Sequence, residues 1–168
     1  LKDPDLRVID LRSQTEYNTR HIPGSLALNV ESLRGTLQGV PACLLPAPLL
    51  AAHLSLMGIR PQTLVVLVYG DKVQDATLAG MGFERLGHPT YALLAGGFMR
   101  WNAMGLAADA RLPEIPASAY PATDKDQFTI DYQTLLSHVQ NNTALIIDFR
   151  PQAYYTGEKS DEARAGHI

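Results

Sequence analysis

Cysteine is almost absent from this chain: Cys43 is the only one in 168 residues, so no disulfide can close within it. That suits a reducing compartment. Positive charge is scarce as well. With 14 Lys and Arg against 17 Asp and Glu, the net charge is −3 and the sequence pI is about 5.9. No basic surface therefore points to a nucleic acid or an anionic lipid. Long apolar runs are missing too, the longest reaching about half of the ~20 residues that a membrane helix needs. No basic-then-apolar leader opens the chain. These absences lead us to expect a cytoplasmic protein with no nucleic-acid or membrane partner. The periplasm stays open, because the chain starts at Leu1 rather than Met and its true amino terminus is expected to be missing. No second His or Cys stands at ligand spacing, so neither a metal nor another cofactor is expected.

What is present is apolar sequence in the rhythm of an α/β domain. At 46% hydrophobic and 18% charged residues the chain can build a core. Its organising stretch is Leu64–Trp101. Leu64–Tyr69 is a continuous, β-branched apolar run bounded by Pro61 and Gly70, the pattern of a strand buried on both faces of a parallel sheet. A crossover helix must follow, with Asp75 as its N-cap, Ala76, Leu78, Ala79, Phe83 and Leu86 at helical spacing, and Gly87 as its stop. Tyr91–Leu94 is the next strand. The loop Gly70–Asp75 thus falls at the carboxyl end of a strand and the amino end of a helix, where backbone N–H groups favour anions.

Upstream, Leu6–Leu11 reads as a strand, Gln14–His21 as a polar helical turn, and Ser25–Val30 as a short strand after the bend at Ile22, Pro23 and Gly24. Gly35–Pro48, which holds Cys43, reads as irregular because of its glycines and prolines. Leu49, Leu50, His53, Leu54 and Met57 mark a helix closed by Gly58. Downstream of Trp101 the periodicity stops, and Leu106–Lys125 is rich in Ala, Pro and Asp. We expect a domain over residues 1–106, a linker over 107–127 and part of a second domain over 128–168.

That second part repeats the first. Ile147, Asp148, Arg150, Gln152 and Tyr155 reproduce Ile9, Asp10, Arg12, Gln14 and Tyr17 at a constant offset, and His167 and Ile168 reproduce His21 and Ile22 after an insertion of about eight residues. The period, about 140 residues, is that of a domain. The second copy also reads as carrying an opening strand, Phe128–Ile130, and a helix, Tyr132–Val139, ahead of the shared strand. On this reading the first copy lacks its first strand and helix, the second stops before its central strand, and the chain is a fragment of a tandem array.

The motifs VIDLR (Val8–Arg12), EYNTRHIPGSLALN (Glu16–Asn29), LVVLVYG (Leu64–Gly70) and LLAGGFMRW (Leu93–Trp101) resemble, in order and spacing, those of the rhodanese family of sulfurtransferases. LIIDFRPQAYYTGEKSDEARAGHI resembles the start of the carboxyl-terminal domain of a tandem thiosulfate or 3-mercaptopyruvate sulfurtransferase. The resemblance implies an α/β, rhodanese-like fold with a central, mainly parallel sheet flanked by helices on both faces. It also implies a mechanism: a cysteine directly after the central strand takes sulfane sulfur from a small-molecule donor and passes it, as a persulfide, to a thiophilic acceptor.

Here the sequence departs from the family. The nucleophile's position is Gly70, followed by Asp71, Lys72, Val73, Gln74 and Asp75, with no Ser, Thr or Cys among them. Two acids in so short a loop also raise the cost of an added anion. No catalytic residue is expected in this chain. An active cysteine in the second copy would fall roughly 45 to 50 residues beyond Ile168 by the repeat offset. Arg150 is the candidate substrate-binding residue, since tandem sulfurtransferases use arginines of this region and a guanidinium suits thiosulfate or a carboxylate. A salt bridge to the linker or to the first domain is its alternative role. Tyr154 stands where relatives often carry another arginine. Asp10 and Asp148 read as loop-bracing carboxylates, His21 and His167 as structural hydrogen-bonders, and Cys43 as a packed thiol. The expected partners are a sulfur donor and acceptor in the parent protein and an adjacent rhodanese domain of the same chain. The competing expectation is a rhodanese fold used only for binding.

Overall fold

The computed structural model describes residues 3–161 and His167. The chain divides into two compact units, 1–127 and 128–168. In the first, β1 (Leu6–Asp10), β2 (Leu26–Ala27), β5 (Leu64–Val68) and β6 (Tyr91–Leu93) form a four-stranded sheet in the order β2-β1-β5-β6. All three pairings are parallel. Val8 lies beside Val66 and Ile9 beside Leu67, so one apolar run supports the other along its whole length.

Alternation along β1 and β5 feeds two cores. Ile9, Val65 and Leu67, each fully buried, pack with Leu50 and Leu54 of α2 (Ala47–Leu56) and Phe83 and Leu86 of α3 (Val73–Leu86). Val8 and Val68 face the other way, against Phe98 of α4 (Gly97–Ala103). Helices therefore cover both faces, which is why β5 is apolar at every position. Each fully buried aliphatic side chain contributes about 1.5–3 kcal/mol of transfer free energy.

Local signals set the helix ends. α1 (Gln14–Thr19) opens with a capping box in which Glu16 N–H donates to Ser13 Oγ and Ser13 N–H donates to Glu16. α3 ends at Gly87, in the left-handed conformation at φ 62°. Its start differs from expectation: the helix begins at Val73 with Lys72 as an N-cap that makes no side-chain bond, and Asp75 sits in the first turn. The segment read as irregular is a hairpin, β3 (Arg34–Leu37) paired antiparallel with β4 (Val40–Leu44). Its glycines and prolines are absorbed by a register shift and by positive φ at Gln38, Gly39 and Ala42. β2 is also shorter than expected, and a 3-10 turn over Val30–Leu33 follows it.

Residues 107–127 are irregular, as their prolines require, yet they run along the first unit. His21 and Asp109 exchange backbone hydrogen bonds, Ser118 N–H donates to Ser55 O, and Lys125 N–H donates to Arg85 O.

The second unit holds α5 (Tyr132–Asn141), capped by Asp131, and α6 (Gln152–Tyr155). Among the described residues, neither Phe128–Ile130 nor the stretch around Ile147 forms a strand. None of its described residues is buried, and Leu145 and Phe149 are 87% and 92% exposed. Ile168, expected to repeat Ile22, lies outside the described residues.

Candidate active-site loop

β5 is central in the sheet and α3 leaves it immediately, so Gly70, Asp71 and Lys72 form the connecting loop while Val73, Gln74 and Asp75 make the first turn of α3. Beside this loop lies an open cleft of about 520 Å³, bordered by Gly70, Asp71, Lys72 and Asp75 and, from the β1–α1 and β2–β3 connections, by Arg12 and Glu31. The structure thus brings together four of the loop residues singled out from sequence. Two they face, Arg12 and Glu31, were not among the site residues picked from sequence. Arg12 was still detectable, because Arg150 repeats it.

Arg12 is the best-anchored charge at the cleft. Its Nε and Nη2 donate to the Asp10 carboxylate, the shortest bond being 2.7 Å, and Nη2 also donates to Arg20 O at 2.7 Å. The guanidinium carbon sits 3.5 Å from the Phe98 ring centroid, a cation–π stack. Both side chains of the pair are buried, at 6% and 0% exposure. Three of its five N–H donors are therefore engaged within its own domain. A Cβ at Gly70 would meet the Arg12 stem at 3.3 Å, so the glycine leaves room for that stem to lie flat.

The opposite wall is ionic. Arg34 donates from Nε and Nη2 to Glu31. That bond holds the Glu31 carboxyl below its ordinary range, with Lys72 adding to the effect. Glu31, Asp71, Asp75 and the capping Glu16 border the cleft as acids, against Lys72 and the already paired Arg12 as cations. No side chain of the loop carries a hydroxyl or thiol, and the acids oppose a bound anion.

The turn behind the loop is fixed by glycine. Gly97 has φ +57°, and a Cβ there would fall 2.3 Å from Tyr69 O. Tyr69 O also accepts from Phe98 N–H at 2.9 Å, so the β6–α4 turn is clamped to the residue before Gly70.

Arg150 lies in the second unit. Its Nε donates to both Asp148 oxygens at 3.0 Å, its Nη2 to Oδ2 at 2.6 Å and its backbone N–H to Oδ1 at 2.9 Å. This bidentate pair pulls the Asp148 carboxyl down to about 2, with the Arg150 side chain as the largest cause. Asp148 thus braces Arg150 as Asp10 braces Arg12. Cys43 lies in β4, its Sγ 3.5 Å from Val40 O. It takes no part in the cleft.

A parallel sheet covered on both faces, with a strand–loop–helix junction at the carboxyl edge of its central strand, defines an α/β domain. The comparisons make the class specific. The rhodanese-like domain family matches residues 1–104, and the chain belongs to that family. The thiosulfate sulfurtransferase of Cricetulus griseus is 26% identical over 179 residues, and the 3-mercaptopyruvate sulfurtransferase of Escherichia coli 24% over 181. These alignments take in 98% and 100% of this chain but only 60% and 64% of the relatives' own lengths. The solved structure of SseA from Escherichia coli, described as a rhodanese fold, superposes with a TM-score of 0.85 at 26% identity, over 99% of this chain and 67% of its own.

Proposed function

We propose that the protein belongs to a tandem sulfurtransferase that moves sulfane sulfur from thiosulfate or 3-mercaptopyruvate to a thiophilic acceptor. In this reading the rhodanese-like domain near the amino end is the silent partner of a second, catalytic one. The observation that carries it is Gly70: the position at the end of β5 where a persulfide-forming cysteine would stand has no side chain, and the space beside it is taken by the Arg12 stem. The acids around the cleft support the same reading, since an anionic donor would pay an electrostatic cost there. Arg150, at the equivalent place in the repeat, is the donor-binding arginine of the proposed catalytic domain, held in a fixed orientation by Asp148.

The chain as given is then inactive. Incubated with thiosulfate and cyanide it releases no thiocyanate above the uncatalysed rate, and its intact mass gains no sulfur. A gain of one sulfur atom on this chain that persists in Cys43→Ser would overturn the reading. Full-length protein treated with thiosulfate or with 3-mercaptopyruvate is expected to gain a cyanide-labile sulfur on a cysteine outside residues 1–168. No gain with either donor would leave a fold used for binding.

A further inference from the structure

Residues 107–127 are attached to the first unit in two stretches, and each stretch holds a different part of it. We propose that the second stretch, residues 115–126, is a clasp that joins the carboxyl-terminal ends of α2 and α3 and opens as one piece about a hinge at residues 112–114. The inference does not depend on sulfur transfer.

The first stretch belongs to the smaller core. Ala107 O accepts from Trp101 Nε1–H at 2.9 Å, and Ala108 packs against the cluster of Val8, Ile22, Val68 and Phe98. Asp109 and His21 exchange backbone hydrogen bonds at 2.8 and 3.0 Å. Arg111 O lies 3.0 Å from His21 Nε2. The attachments then stop. Among the described residues, Leu112, Pro113 and Glu114 make no hydrogen bond or ion pair, and Leu112 is 67% exposed.

The second stretch belongs to the larger core, on the other face of the sheet. Ile115 and Pro116 occupy the space beside Gly58, where a Cβ would meet Ile115 Cγ2 at 2.5 Å and Pro116 O at 2.9 Å. Ser118 N–H donates to Ser55 O at 2.8 Å and its hydroxyl donates to Ile59 O. Ser118 thus brings donors to the end of α2, where helical carbonyls run out of partners. Tyr120 bridges the two helices. Its N–H donates to Ser55 Oγ at 3.1 Å, its ring packs against the larger core, and its hydroxyl lies 2.8 Å from Nδ1 of His88, one residue past the Gly87 cap of α3. Asp124 and Lys125 hold that same turn. Lys125 N–H donates to Arg85 O at 2.7 Å, and the Lys125 stem fills the place where a Gly87 Cβ would stand, at 2.4 Å. The Arg85 guanidinium pairs with Asp124 at 2.8 Å and with Asp126 at 3.9 Å.

Shared partners make the clasp one piece. Ser55 is held by both Ser118 and Tyr120, and the turn at residues 85–88 by both Tyr120 and Lys125, so Tyr120 cannot leave without loosening its neighbours on either side. Residues 107–111 share none of these partners, and such interlocked stretches open as local cooperative units. Opening frees roughly 40 Å of extended chain ahead of Phe128. The clasp therefore sets the length of the tether that leads out of the first unit.

The test is native-state hydrogen exchange of the full chain, read at single amides. The amides of Ser118, Tyr120 and Lys125 each donate to the body of the unit. They are expected to show one common protection factor, within about twofold. Tyr120→Phe, which removes only the hydroxyl, should lower all three about fivefold. Arg85→Gln, at the opposite end of the clasp, should lower all three by one shared factor. The Asp109 amide, in the first stretch, should be unchanged in both variants. Protection at Ser118 that survives Arg85→Gln while Lys125 loses its own would overturn the proposal, as would unchanged protection in both variants. Loss at Asp109 in step with the other three would rule out the hinge, and exchange of all three amides at the rate of an unstructured chain would show that no clasp forms.

Discussion

The chain contains the same short motif twice, in two very different settings. In the first unit Asp10 grips Arg12 and Tyr17 stacks on His21 at 4.0 Å, with His21 Nδ1 at the Tyr17 carbonyl. In the second, Asp148 grips Arg150 and Tyr155 stacks on His167, again at 4.0 Å and again with Nδ1 at the tyrosine carbonyl. The local geometry is nearly identical, yet the Arg12 side chain is 6% exposed and the Arg150 side chain 48%. The Asp–Arg pairs are two residues apart and dictate their own pairing, whereas the tyrosine and histidine are four residues apart in the first unit and twelve in the second. Burial is conferred by β2, β5 and α4, which the second unit lacks among its described residues.

The difference predicts large energetic asymmetry between equivalent substitutions. Asp10→Ala strands a buried guanidinium, and removing one partner of such a pair costs about 3–5 kcal/mol. Asp148→Ala should leave the unfolding of the first unit unchanged. Denaturant titration of both variants measures this; equal effects would mean that the second unit buries its motif after all. Ile9→Ala follows, at about 2–5 kcal/mol for a fully buried aliphatic, whereas Ile147→Ala, 62% exposed, should fall within about 0.5 kcal/mol. A smaller contrast lies at the helix caps. Ser13→Ala removes the capping box of α1 at a cost of about 1 kcal/mol. Its counterpart Pro151 makes no side-chain cap, so Pro151→Ser should lengthen or stabilise α6, as read from amide protection.

The same comparison explains what could be read from residues alone. β5 was legible because a strand buried on both faces leaves an apolar run that nothing else needs. α3 was legible from its buried stripe, but not its first residue, because the cap at Lys72 uses backbone only. The β3–β4 hairpin was hidden, since Gly39, Pro41 and a positive φ at Ala42 read as disorder of pattern and not as a bulged turn. The stretch around Ile147 misled in the opposite sense: its pattern matches β1, but a pattern cannot provide the neighbours that make a strand. At the candidate site, the position of the loop and the missing nucleophile were visible from the motif order. The cleft's ionic wall was not, because Glu31 and Arg34 arrive from a different connection. Residues 107–127 were read as a linker from their lost periodicity, while their attachment to the first unit rests largely on backbone carbonyls and buried histidines that composition does not register.

The smallest expected effect is also the sharpest probe of the second copy. Asp148 titrates at about 2 because the Arg150 side chain and backbone both donate to its charged form. A carboxyl whose folded value lies below its ordinary 3.8 contributes stability that is present above that value and lost as pH falls toward about 2. Carboxyl NMR shifts over that window should therefore show Asp148 keeping its charge after exposed carboxylates have been neutralised. Arg150→Gln should return it to the ordinary range, and Arg150→Lys should restore only part of the shift, because an ammonium cannot make the paired in-plane bonds of a guanidinium. An ordinary Asp148 titration in the unmodified chain would mean that the pair is not held there. The likeness of the two copies would then require the buried setting of β1, and Arg150 would lose the preorganisation on which its proposed role as a donor-binding residue depends.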